Sequence, residues 1–363
     1  MTPIVVRRLY FLSVVVPLFL ILSSICLAQE EYLPYPGVIH LHSSVSKGAY
    51  PLRKLVSLAR ARGIKILIFS DTHLRRWEYG LASVEHGSVV KYGIKNYLED
   101  FKKIRNEFPD MLILEGVEVV PFYWWSGSPF KKNLTLNDWN KHLVVTGLKQ
   151  YQDYMRLPVV GNRNFTPQLK DLPFLLLSLS LIIWGITLFK KRKQAKFLGL
   201  ILSAAGTLWL FNLYPVSTSK YNPYHGSKGY FPYQELINYV NKKGGKAFWA
   251  HPEITELAST GRFATINFYT PSYPEALMLT SGYSGFGVNM LPGTNHDLIL
   301  AGGEWDKALM SYCQGKRSQP AWAIAEADYR GPGQIDSIQN IFLLPEFKSE
   351  AVYEALLRGR FYM

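Results

Sequence analysis

What most restricts the fold of this chain is a repeated order of apolar strand and amphipathic helix. Apolar segments predict strands at 38–43, 65–71, 112–120, 142–148, 246–252, 276–280, 321–328 and 341–345. Amphipathic runs predict helices at 51–62, 94–107, 233–243, 305–314 and 349–358. Gly63, Gly244, Gly315 and Gly359 directly follow four of them. Glycine there closes a helix by taking the left-handed conformation. Strand–helix alternation of this kind implies a parallel sheet, and so many repeats predict a closed α/β barrel. With 48% hydrophobic and 18% charged residues the composition is that of folded protein.

Three apolar runs break the pattern. Residues 9–28 carry no charge, follow Arg7 and Arg8, and end on Ala28, so 1–28 predicts a signal peptide or an uncleaved signal anchor. Runs at 172–189 and 197–214 flank the basic loop "KKRKQAK" at 190–196. This predicts a two-helix transmembrane hairpin over 172–214, with its basic loop cytoplasmic by the positive-inside rule. Arg7 and Arg8 assign the N-terminus to the same side. The barrel is then split into 29–171 and 215–363 and faces the periplasm or cell exterior. Seven cations of the +13 net charge (Arg7, Arg8 and five in 190–196) are explained by topology, leaving +6. No nucleic-acid partner is expected. Cys26 and Cys313 are the only cysteines, so no disulfide is expected in a processed chain.

The segment "GVIHLHSS" sets His40 and His42 one residue apart in an apolar strand. Alternation along a strand turns both to one side, where two neutral imidazoles can bind one metal ion. A lone pair of histidines is a weak signal. Here His73, His142 and His251 also fall at predicted strand ends, His296 lies near one, and Asp71, Glu118 and Asp328 occupy equivalent ends. One such group per strand end points to metal.

The segments "VIHLHS", "IFSDTH", "LEGVEVV", "KHLVVTG", "FWAHPE" and "AIAEAD" resemble, in order, the motifs of the PHP (polymerase and histidinol phosphatase) superfamily. The tail, "EWDKALMSYCQGKRSQPAWAIAEAD" and "SEAVYEALLRGRFYM", resembles its CehA/McbA-like branch. The resemblance implies a distorted (β/α)7 TIM-like barrel with two or three metals, so that one of the eight predicted strands is surplus. Carried over by motif, His40, His42, Glu118 and Asp328 would hold one ion. Glu118, favoured over Glu115 by the Gly-Val-Glu pattern, would bridge to a second ion held by His142 and His251. Where the family binds a third ion, this chain has Lys47, the interrupted "DTH" at 71–73, and Arg330. Lys and Arg cannot ligate at neutral pH but can supply positive charge. The expectation is a two-metal site with Lys47 and Arg330 as anion clamps; decay of a third site fits equally. Asp71 and His73 are candidates to support the metal ligands from behind or to transfer protons.

Two divalent ions (Zn²⁺, Mn²⁺ or Fe²⁺) sharing a carboxylate would activate a bound water as hydroxide, which suits hydrolysis. Cations opposite them favour a phosphoester. The sequence thus predicts a membrane-anchored phosphoesterase acting on a phosphorylated or ester small molecule. A lipid-linked substrate is one option, because the aromatic segment "PFYWWSGSPF" at 121–130 could sit at a membrane interface or pack internally. A carboxyl ester or carbamate hydrolase and a non-catalytic metal- or ligand-binding barrel are the alternatives. The glycine-rich stretch at 282–297 reads as a loop near the barrel mouth.

Overall fold

The computed structural model describes residues 31–80, 82–162, 172–189, 193–213, 220–260, 266–289 and 297–363. The predicted signal segment, His296 and part of the basic loop lie outside the described residues. The strands are, in chain order, β1 (Leu33–Leu41), β2 (Ile66–Phe69), β3 (Asp71–Thr72), β4 (Arg76–Tyr79), β5 (Ala82–Glu85), β6 (Leu112–Leu114), β7 (Gly116–Val119), β8 (Trp124–Ser126) and β9 (Leu134–Asn137). They continue with β10 (Leu143–Thr146), β11 (Lys246–Trp249), β12 (Glu256–Thr260), β13 (Ile266–Thr270), β14 (Gly285–Asn289), β15 (Trp322–Glu326), β16 (Asn340–Leu344) and β17 (Phe361–Tyr362).

Two sheets carry the fold, β17-β16-β1-β2-β6 and β15-β14-β11-β10-β7-β3. A single residue separates β2 from β3 (Ser70) and β6 from β7 (Glu115), so both strands run from one sheet into the other. At the opposite edge, beyond β15, the amides of Ala327 and Tyr329 donate to the carbonyls of Ile39 and His40 (3.1 and 2.9 Å), and the His42 amide donates to Tyr329 O (2.9 Å). The two sheets are therefore joined through β2/β3 and β6/β7 and again between β1 and the segment after β15. Helices Leu52–Ala61, Ile94–Glu107, Phe231–Lys242 and Ser349–Arg358 bury an apolar stripe each, as their periodicity requires. Leu55 and Phe101 are fully buried, each worth about 1.5–3 kcal/mol in surface removed from water.

Three expectations about strands are corrected. The sheet is not all parallel: β10 runs antiparallel to both β7 and β11. Segment 276–280 is not a strand but the short helix Ala276–Leu279. The strand at that point is β14, inside the stretch read as a loop, and it pairs in parallel with β11 and β15. Its apolar signal is thin because glycine is needed there. A Cβ on Gly285 would lie 2.5 Å from Trp322 O, and one on Gly287 would collide with the Glu326 carboxylate.

The small sheet β12-β13-β9-β8 packs an aromatic cluster that includes Trp77, Phe122, Tyr123, Trp125 and Trp139. Trp125 is buried among Trp77, Tyr79 and Tyr123, and its Nε1–H donates to Glu78 O (2.8 Å). The Trp124 Nε1–H donates to Asp138 Oδ2 (3.0 Å). Phe122, Tyr123 and Trp125 of the aromatic segment after β7 thus pack internally, whereas Phe130 at its end is exposed.

The apolar runs form helices Leu172–Leu188 and Lys193–Leu213, packed together where Gly185 approaches Gly199 O. No helix among the described residues is long and apolar enough to cross a membrane. The first, at 17 residues, spans roughly 26 Å at ~1.5 Å per residue, against a hydrocarbon core of ~30 Å. The second opens on Lys193 and includes Lys196. The predicted transmembrane hairpin and membrane location are corrected accordingly.

Candidate metal centre

The strand ends bring six side chains together. β1 does not present His40 and His42 by simple alternation, because its register against β2 shifts between Ile39 and Leu41. His40 sits in that bulge with φ 69°, and His42 lies just past the strand. Their rings still converge, with Nε2 atoms 3.1 Å apart. β7 supplies Glu118. The reversal of β10 pairs Leu143 with Val119 and Trp249, so the start of β10 sets His142 beside the ends of β7 and β11. His251 follows β11 with φ 31°, and Asp328 follows β15 with φ 37°. Left-handed backbone at a non-glycine residue costs about 1–3 kcal/mol each. Three of the six candidate ligands carry it.

Two trios could each hold a metal ion, their ligand atoms all within 4.8 Å of one another: His40, His42 and Glu118, and Glu118, His142 and His251. Glu118 belongs to both. Its Oε1 lies 3.3 Å from His40 Nε2 and 2.7 Å from His142 Nδ1. Asp328 Oδ1 borders the first trio, 3.3 Å from His42 Nε2 and 3.7 Å from His40 Nε2. His142 and Glu118 approach closely but lack hydrogen-bond geometry: Glu118 Oε1, His142 Nδ1 and His251 Nε2 are all buried with no hydrogen-bond partner among the described residues. A buried polar atom left unpaired costs about 1–3 kcal/mol. Three orphaned lone pairs, one from each member of a trio, are the donor set that a divalent ion satisfies.

Electrostatics fit the same picture. Burial lowers the His142 pKa to about 3 despite Glu118, and it lowers that of His42; both rings are neutral ligands at pH 7. Burial alone would raise the Glu118 pKa, but His142, Lys47 and His42 hold it well below the usual carboxylate range. For Asp328 burial again opposes ionisation, and His42, His40 and Arg330 prevail, keeping it ionised. His40 is the exception: burial works to lower its pKa, but Glu326, Glu118 and Asp328 push it up to about 10.

Lys47 and Arg330 join the cluster through its carboxylates. Lys47 Nζ donates to Glu118 Oε2 (2.6 Å), which also accepts from Thr72 Oγ1 (3.1 Å). Arg330 forms a two-point contact with Asp328, Nη2 to Oδ2 at 2.6 Å and Nε to Oδ1 at 3.1 Å. Asp71 and His73 stand apart from the trios. Asp71 accepts from the Ser43 amide (2.8 Å), Ser43 Oγ (2.7 Å) and Ser46 Oγ (2.6 Å). Ser46 Oγ also lies 3.3 Å from His42 Nδ1, so Asp71 orients His42 through a hydroxyl. The His73 ring is fully buried against Tyr154 O (2.8 Å), and burial lowers its pKa to about 4. Its amide donates to Glu118 O (2.8 Å), which ties the residue after β3 to the strand that carries Glu118.

Glu326 was missed. Its carboxylate contacts His40 Nδ1 and accepts from the His251 amide (2.7 Å). It stands two residues before Asp328, and strand alternation alone could have flagged it.

No protein-family profile and no curated protein matches the chain. Solved structures do, at low identity. A two-domain protein from Bacteroides vulgatus, containing a predicted PHP-like metal-dependent phosphoesterase, aligns at 13% identity and TM-score 0.41, over 91% of this chain and 64% of its own. The chain thus spans under two thirds of that protein. A protein from Bifidobacterium adolescentis, assigned to the metal-dependent phosphoesterases, aligns at 13% identity and TM-score 0.37, over 81% and 87%. An amidohydrolase from Chromobacterium violaceum with bound sulfate and no metal aligns at 13% identity and TM-score 0.35, over 90% and 97%.

Proposed function

We propose that the chain is a metal-dependent hydrolase of the PHP type that cleaves a phosphoester. The single observation that carries this reading is the pair of buried ligand trios sharing Glu118, one of them holding three orphaned lone pairs. His40, His42, Asp328 and Glu118 would hold one divalent ion, and Glu118, His142 and His251 a second. When bound, such ions would supply Lewis acidity and lower the pKa of a water molecule there. The protein's own part is positional. Neutral His42 and His142 offer lone pairs, while Glu118 and Asp328 stay ionised. Lys47 and Arg330 supply positive charge at the same mouth, where a substrate phosphoryl group would be neutralised.

The proposed frame is a closed ring of seven strands: β1, β2/β3, β6/β7, β10, β11, β14 and β15. It is supported by the ladder bonds between neighbours and by the bonds from Ala327 and Tyr329 that return the last strand to the first. Two of the eight predicted segments fall outside that ring: 276–280, which is helical, and 341–345, whose strand β16 pairs on the outer edge of β1.

Purified protein assayed with p-nitrophenyl phosphate and p-nitrophenyl acetate, with Mn²⁺ or Zn²⁺ added, separates this reading from its rivals. Phosphatase activity lost on H40A and E118A is expected. Turnover of the acetate alone would favour a carboxyl ester hydrolase, and hydrolysis indifferent to both substitutions would leave a non-catalytic barrel.

A further inference from the structure

Glu326 lies in β15, almost fully buried, and belongs to neither ligand trio. Its two oxygens have separate duties. Oε1 contacts the His40 ring at Nδ1, and Oε2 accepts from the His251 main-chain amide at 2.7 Å. His40 belongs to one trio and His251 to the other. Both residues have left-handed backbone, φ 69° and 31°, which the surroundings must hold in place. The neighbouring strand makes room for this carboxylate and little else: a Cβ on Gly287 would collide with Glu326 Oε2 and Cδ.

We infer that Glu326 is a positioning residue that sets both halves of the metal centre by fixing the His40 ring and the His251 backbone together. The inference rests on the metal reading above. Its chemistry follows from donor and acceptor count. Two donors, His40 Nδ1–H and His251 N–H, face one side chain. Only a carboxylate offers two acceptors at that spacing. With the proton on Nδ1, His40 Nε2 is left to the side where Glu118 and Asp328 stand, and a carboxylate behind a ligating imidazole strengthens it as a ligand. Glutamine is nearly isosteric but brings one acceptor and one donor. If its amide oxygen keeps the His251 bond, its NH₂ meets Nδ1 and forces the ring proton to Nε2, where an ion would bind.

The test uses full-length protein stripped with chelator, then titrated with Mn²⁺ and Zn²⁺ alone. E326Q is expected to weaken ion binding by roughly 10- to 100-fold, the usual cost of losing a partner behind a metal ligand. G287A keeps the charge but displaces the carboxylate, and is expected to weaken binding similarly. E326Q or G287A that folds by circular dichroism and binds both ions as wild type does would overturn the inference. A second readout needs neither metal nor variant: the ¹⁵N resonances of His40 in stripped wild-type protein. A protonated, hydrogen-bonded Nδ1 is expected, and an unprotonated Nδ1 would overturn the inference even if E326Q does not fold. Wild-type protein that takes up no ion, yet shows the protonated Nδ1, would sink the metal reading and leave the Glu326 contact standing.

Discussion

The two halves of the centre share Glu118 and differ in how their other atoms are satisfied. In the half formed by His40, His42 and Asp328, neighbours surround the ligands: Glu326 on His40, Ser46 beside His42, Arg330 on Asp328. In the half formed by His142 and His251, the ring nitrogens His142 Nδ1 and His251 Nε2 are buried and bare, as is the Glu118 oxygen facing them. The first half is held in shape by protein charges and protons, and an ion must compete with them. Among the described residues no hydrogen bond satisfies those atoms of the second, although His142 Nδ1 and Glu118 Oε1 stand 2.7 Å apart, so an ion there removes a cost of folding. The comparison teaches that one bridging carboxylate can serve two sites of different character.

Removing the bridge has the largest expected effect. E118A should abolish uptake of both ions and lower phosphatase turnover by about 10³-fold or more, since one electrostatic stabiliser alone is commonly worth ~10²–10³. Retention of one tightly bound ion in that variant, by elemental analysis, would break the idea of a shared carboxylate. H251A should empty only the second half, lowering the ion count from about two to about one, with turnover down on the order of 10²-fold. Loss of both ions instead would mean that the halves do not load independently.

The pH dependence of loading sharpens the contrast. His40 keeps a proton up to about pH 10 in metal-free protein, so an ion entering the first half must displace it. Affinity there should rise by about tenfold per pH unit between pH 7 and 9. His142, with its pKa near 3, loses no proton in that range, and the second half should load with a flatter slope. Chelator-competition titrations at several pH values measure both, and equal slopes would erase the distinction. The smallest effect concerns Lys47. K47M removes the charge from the rim and should raise KM for a phosphoester by about tenfold, the value of one hydrogen bond to a charged group, while leaving an uncharged acetate ester unaffected. An equal change for both substrates would assign Lys47 to holding Glu118 only.

Much of the site was legible because its chemistry is carried by rare residue types at strand ends: His40, His42, Glu118, His142, His251 and Asp328 converge in space. Other features were hidden for physical reasons. Strand direction leaves no trace in an apolar pattern, so the reversal of β10 that delivers His142 could not be read. β14 escaped notice because Gly285 and Gly287 take the places of side chains that would have marked it. The bulge at His40 is a backbone event, invisible to alternation. Glu326 was within reach, two residues from Asp328 in one strand, and was passed over because it matched no ligand motif. The apolar runs misled because one forms a helix of only 17 residues and the helix of the other takes in Lys193 and Lys196.

The most direct test of the account is the metal content of freshly purified wild-type protein, counted per chain by elemental analysis. The account predicts about two divalent ions, falling to about one in H251A. Protein that is folded and carries none, and takes up none on titration, would contradict it.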